Sequence, residues 1–92
     1  MIDIFEIYQK VKVSYEWSKP AALKEMRMHQ YRLTQEEFAA LIGVKYETYR
    51  NWEKGIYNPS TPALALLHIA MFHPKMFMKN RKEVIEKISL LK

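Results

Sequence analysis

Residues 34–55 read TQEEFAALIGVKYETYRNWEKG, and the folding of this stretch decides the architecture of the 92-residue chain. Thr34 can accept a hydrogen bond from the N–H three residues on, and Glu37 can reach back to the Thr34 N–H. Together they predict a capping box at a helix start. Leu33 before the cap and Phe38 after it are placed to staple that entry. Gly43, eight residues beyond Gln35, offers the left-handed conformation that ends a helix. A second apolar pattern, Val44, Tyr49 and Trp52, then runs until Gly55 stops it. The pattern predicts two short helices joined by a tight turn, the second with a polar outer face. That layout suits an element that reads the major groove of DNA.

Upstream of this stretch, Pro20 following Lys19 opens another helix, at a position where its missing N–H costs little. Leu23, Met26 and either Gln30 or Tyr31 face inward, and the helix ends near Arg32. Residues 1–17 carry two signals. Asp3 and Glu6 form a capping box, with Ile4, Ile7, Tyr8 and Val11 on one helical face. Val11, Val13, Tyr15 and Trp17 alternate with polar residues as a strand does. A short helix running into an extended segment satisfies both, either packed on its own domain or pairing with a second chain.

Downstream, Asn58 and Pro59 mark a turn. Thr61 and Pro62 open a further helix, with Thr61 as its cap. The body, ALALLHIAMF, is apolar nearly all round and reads as the central buried helix. His73 and Pro74 end it, and one more turn fits 75–79. Asn80 and Glu83 make another capping box for a last helix with a stripe of Val84, Ile85, Ile88 and Leu91. The expected divisions are an arm over 1–17, a helical domain over 18–79 and an amphipathic helix over 80–92.

Composition agrees with one small all-α domain. The chain is 49% hydrophobic and 13% aromatic, enough for a packed core, while only 2 Gly and 4 Pro leave room for long regular elements. Having no Cys excludes disulfides and thiolate metal sites. The net charge of +5 favours a polyanionic partner. Most of the excess lies after residue 56, where Lys75, Lys79, Arg81, Lys82, Lys87 and Lys92 face only Glu83 and Glu86. Those lysines read equally as a solvated face or a phosphate patch. Asp3 and Glu6 stand where a secretory leader would be basic, and the apolar run 63–72 is too short to span a bilayer. The expectation is a soluble, cytoplasmic protein.

Within 34–55 each position has a physical task. Phe38, Ile42, Val44, Tyr49 and Trp52 lock the second helix to a core, and Ala39 lets the two helices approach closely. With these positions in place, the stretch resembles the helix-turn-helix of the Cro/C1-type, phage-repressor-like (XRE family) DNA-binding proteins. The continuation PALALLHIAMFHP is similar to antitoxin-type members such as the HigA-like antitoxins. The resemblance implies a compact five-helix, lambda-repressor-like domain that binds double-stranded operator DNA as a homodimer. Its function would be a sequence-specific transcriptional regulator, a repressor. The alternative is an antitoxin that binds a toxin protein and represses its own operon.

Carried onto this chain, the resemblance puts Gln35 against a DNA phosphate, as does the anion preference of a helix N-terminus. Lys45, Tyr46, Glu47, Arg50 and Asn51 face outward as candidates for base edges. Arg50 suits guanine, Asn51 adenine and Glu47 the amino group of cytosine. Lys54 and Tyr57 suit phosphates. Four positions depart from the family pattern, one being Tyr49, which is large where an aliphatic residue is usual. Lys45 replaces the usual small cap of the second helix, and Arg32 replaces the usual Gly before Leu33. Met28 stands where many relatives carry an Arg that pairs with the Glu closing the second helix. This argues against a buried Arg27–Glu53 pair and leaves Glu53 solvated.

Other chemistry finds no support. Two glycines cannot build a nucleotide-binding loop, and His29, His68 and His73 lack metal-ligand spacing. Ser14, Ser18, Ser60 and Ser89 sit in no nucleophile motif. Neither an enzyme, a metal nor a cofactor is expected.

Overall fold

The computed structural model describes residues 18–91, so the readings made for residues 1–17 and Lys92 lie outside the described residues. All regular structure in this span is helical. Helix α1 runs Pro20–Glu25 and passes without a break into a π-helical turn, Met26–Tyr31. Helices α2 (Gln35–Ile42), α3 (Tyr46–Lys54) and α4 (Thr61–Phe72) follow, then a single turn α5 (Lys75–Met78) and α6 (Arg81–Leu90). No helix among the described residues is long and apolar enough to cross a membrane.

The capping box of α2 forms as its residue types require. Thr34 Oγ1 accepts from the Glu37 N–H at 3.1 Å, and Glu37 Oε1 accepts from the Thr34 N–H at 2.8 Å. Gly43 at φ 84° and Gly55 at φ 76° end α2 and α3 in the left-handed conformation that costs a side chain about 1–2 kcal/mol. Both the Gly43 and Val44 N–H groups return to the Ala39 carbonyl at 2.9 Å, which sets the tight turn between the two helices.

The centre of the fold is α2, not α4 as the apolar run 61–72 suggests. Phe38, Ala39, Leu41 and Ile42 of α2 are all buried, and the helix packs against α3, α4, α6 and the π-helical turn. In α4 only Ala63, Leu67 and Ala70 are buried. Leu64, Leu66, Ile69 and Met71 are half-buried and Phe72 is 53% exposed. The described elements do not surround this twelve-residue helix on every side, so apolarity all round does not become burial all round.

Two caps also differ from the sequence reading. Ser60, not Thr61, caps α4, its hydroxyl accepting from the Ala63 N–H at 3.4 Å. That puts Pro62 one place deeper, still in the first turn where no N–H is needed. Asn80 makes no side-chain cap on α6. Its φ and ψ are already helical, so its side chain is not held over the first N–H groups, and Glu83 pairs instead with Lys87 at 2.9 Å.

Arg32 is the one non-glycine residue with positive φ among those described, at 54°. Its backbone N–H and that of Leu33 both return to the Arg27 carbonyl. The carbonyls left over are claimed by α6, since Arg81 donates to Tyr31 O at 2.6 Å and to Arg32 O at 2.9 Å. Arg81 thus fastens the last helix to the end of the first, and Ile88 of that helix is buried. One member of the basic C-terminal group is therefore a structural donor, not a free surface charge.

Candidate nucleic-acid interface

The face of α3 follows from its spacing. Tyr49 and Trp52, three apart, are 0% and 5% exposed and fix the helix to the core. Phe38 of α2 lies 5.1 Å from the Tyr49 ring, and Tyr31 lies 5.2 Å from Phe38. The Tyr49 hydroxyl donates to the Leu23 carbonyl at 3.3 Å, and burial holds that phenol far above its ordinary pKa. Tyr49 and Trp52 are core residues, as the sequence reading has them, and not platforms for bases.

Opposite this anchored side, Lys45, Tyr46, Glu47 and Lys54 are exposed, while Arg50 and Asn51 are half-buried. Lys45 precedes the helix without a side-chain cap, as its residue type predicts. The expected residues do not form one cluster. Lys45, Glu47 and Asn51 line an open cleft of about 470 Å³ together with Tyr57, which is 65% exposed. Thr48 and Asn58 line the same cleft and were not among the residues read from the sequence. Thr48 was legible in principle, because on a helical wheel it falls beside the outward positions and opposite Arg50.

Tyr46 and Arg50 occupy the other flank. They are four apart, and the Arg50 guanidinium carbon lies 5.7 Å from the centre of the Tyr46 ring. Glu53, three residues beyond Arg50, continues this flank inward. Gln35 joins it, donating from its side-chain amide to Glu53 Oε1 at 3.0 Å. The residue expected at a phosphate is thus tied to the end of the outward-facing helix. Its backbone N–H is not one of the two groups used in the capping box.

Glu53 itself overturns the sequence expectation, because it is paired and not solvated. Arg27 Nε donates to Glu53 Oε2 at 2.7 Å and Arg27 Nη2 to Oε1 at 3.1 Å, with side chains 11% and 4% exposed. The third guanidinium nitrogen, Nη1, donates to the Leu33 carbonyl at 2.9 Å. The cause is the π-helical turn. Its i→i+5 bonding holds one residue more than an α-helical turn between Arg27 and Thr34. The extra residue makes up the one-position offset between Arg27 and Met28, which stands six positions before Thr34, and it is Arg27 that faces Glu53. Met28 is correspondingly turned out, at 44% exposure. Burial pushes the Glu53 carboxyl up, but the bonds from Arg27 and Gln35 outweigh it and hold the group below the ordinary carboxylate range. The carboxylate in turn raises the Arg27 guanidinium.

The arrangement is a polar surface on a short helix anchored by Tyr49 and Trp52, with no clustered acid–base pair on it. No group of three or more His, Asp or Glu side chains that could hold a metal exists among the described residues. A family model described as helix-turn-helix matches residues 23–71, a span that runs from Leu23 of α1 to Met71 of α4. No curated protein and no solved structure matches the chain.

Proposed function

The chain belongs to the Cro/C1-type helix-turn-helix family of DNA-binding regulators, and from that premise we propose that it is a sequence-specific repressor whose α3 enters the major groove of double-stranded DNA. The observation that carries the reading is the division within α3. Tyr49 and Trp52 are locked in the core while Lys45, Tyr46, Glu47, Arg50 and Asn51 turn outward. Arg50 and Asn51 read base edges, Glu47 accepts from cytosine, and Gln35, Lys54 and Tyr57 meet phosphates on either side. The test is selection from a random duplex library followed by titration of the recovered site. Asn51→Ala is expected to weaken the selected site about 10-fold or more and to relax its sequence preference. Lys54→Ala is expected to weaken all sequences alike and to flatten the log–log salt dependence by about one unit. Recovery of no preferred site overturns specific readout.

The same reading makes the protein a homodimer. Over residues 34–55 the basic Lys45, Arg50 and Lys54 are outnumbered by the acidic Glu36, Glu37, Glu47 and Glu53. One copy therefore supplies little electrostatic affinity, and two helices about 34 Å apart on a pseudo-palindromic site supply more. Support for where two copies meet comes from the end of α6, where Leu90 and Leu91 are 85% and 77% exposed. The double substitution Leu90→Asp, Leu91→Asp is expected to give monomers in sedimentation and to lose affinity for the full site but not for a half-site. A dimer that survives the substitution excludes this end of the chain. The antitoxin alternative keeps the DNA interface and adds a toxin. Its support is the apolar exposure of Met76, Leu90 and Leu91, and co-purification with the product of an adjacent gene tests it.

A further inference from the structure

Arg50 Nε is the one buried side-chain nitrogen or oxygen without a hydrogen-bond partner among the described residues. Leaving such a donor unpaired is costly, so native proteins seldom keep one without a use for the geometry that imposes it. The guanidinium of the same residue lies over the Tyr46 ring, one helical turn back. Two constraints therefore act on one side chain. Its inner nitrogen is closed to solvent, and its guanidinium carbon is held 5.7 Å from the centre of an aromatic ring that is itself 43% exposed.

We propose that Tyr46 is a positioning residue, not a base reader, and that it holds Arg50 to recognise guanine end-on through Nη1 and Nη2. A nitrogen that water cannot reach is also out of reach of a phosphate oxygen. The side-on fork, which pairs Nε with one Nη, is thereby removed. The end-on fork remains. Two parallel N–H groups match the paired O6 and N7 acceptors that guanine alone shows in the major groove. The contact with the Tyr46 ring restricts the Arg50 rotamer before binding, so less freedom is lost when the two bonds form. The Tyr46 hydroxyl plays no part in this account, which sets Tyr46 apart from the other outward residues of α3.

This inference rests on the major-groove reading of α3, and its test begins from a duplex obtained by binding selection with the full chain. Each guanine of the selected half-site is replaced in turn by 7-deazaguanine, which lacks N7, or by inosine, which keeps both O6 and N7. At one position 7-deazaguanine is expected to weaken wild-type binding about 10-fold while inosine is neutral. Arg50→Ala should abolish that penalty. Tyr46→Phe should keep it, and Tyr46→Leu should reduce it to less than threefold with the salt slope unchanged. Tyr46 is exposed, so these variants are expected to fold, which a thermal melt checks. If no selected site emerges, the major-groove reading has failed. If a site emerges but every guanine tolerates 7-deazaguanine, or Arg50→Ala lowers the salt slope by one, Arg50 holds a phosphate and the inference is overturned. A Tyr46→Leu variant that keeps the full penalty overturns the positioning role alone.

Discussion

Replacing Glu53 by alanine is expected to lower the unfolding free energy by about 3–5 kcal/mol, because it leaves the buried Arg27 guanidinium with a single acceptor. Of the three bonds that guanidinium makes, two end on Glu53 and one on the Leu33 carbonyl. In a domain of this size each kcal/mol moves the melting temperature by about 4–8 °C, so the loss takes a large share of the whole stability. A shift below about 5 °C would show that the pair is solvated in solution. The double substitution Arg27→Met, Glu53→Leu removes both charges and keeps most of the volume. It is expected to be more stable than either single variant, since a buried pair gives little net stability over well-packed apolar groups.

The pair also sets a pH dependence with a definite sign. The folded Glu53 carboxyl sits below its ordinary value, so the unfolded chain binds its proton first as the pH falls. Its contribution is complete above the ordinary carboxylate value of about 4.3 and is lost as the pH drops through the lowered folded value. Arg27 is raised from an already high value and stays charged throughout. Urea unfolding followed from pH 7 down to pH 3 should therefore show a steeper loss for the wild type than for Glu53→Ala.

That pair marks the limit of what could be read in advance. The capping box at Thr34, the turns at Gly43 and Gly55 and the buried side of α3 were legible because each depends on residues within one or two helical turns. The Arg27–Glu53 bond was not, because it depends on one residue inserted into a helix. Motif alignment counts positions and assumes α-helical bonding between them. A π-helical turn breaks that count without any marker such as Pro or Gly. The burial of α4 was overstated for a different reason, since periodicity reports what a helix can bury and not how many neighbours the chain has to cover it. In sequence Arg81 is only one member of a basic run. Its bonds to Tyr31 and Arg32 span about fifty positions of sequence and follow from the packing of α6. At the candidate interface, the outward set on α3 was legible from the wheel. Its separation into a cleft flank and a Tyr46–Arg50 flank was not, because that depends on which side the loop carrying Tyr57 returns.

Phe38→Ala is the second large effect, expected to cost about 3–5 kcal/mol in stability and to damage DNA binding beyond that loss. Phe38 is fully buried at the middle of an aromatic run, 5.2 Å from Tyr31 and 5.1 Å from Tyr49, with Tyr49 in turn 6.0 Å from Trp52. The run joins the π-helical turn, α2 and α3 through side chains whose hydroxyls are also held. Tyr31 donates to the Ala70 carbonyl at 2.6 Å, with its phenol pushed up to about 12 by burial, and Tyr49 donates to Leu23. Truncating Phe38 removes both ring contacts and opens a cavity that neither tyrosine can fill without giving up its hydrogen bond. The angle of α3 relative to α2 is then no longer fixed by packing, and base readout needs that angle more than phosphate contact does. Phe38→Leu keeps most of the volume and should cost about a third as much. Measured at a temperature where both variants are folded, Phe38→Ala should lose more affinity for the selected site than for random duplex. An equal loss on both would mean that α3 is held by the Gly43 turn and Ala39 alone, and that the aromatic run contributes stability without setting the reading angle.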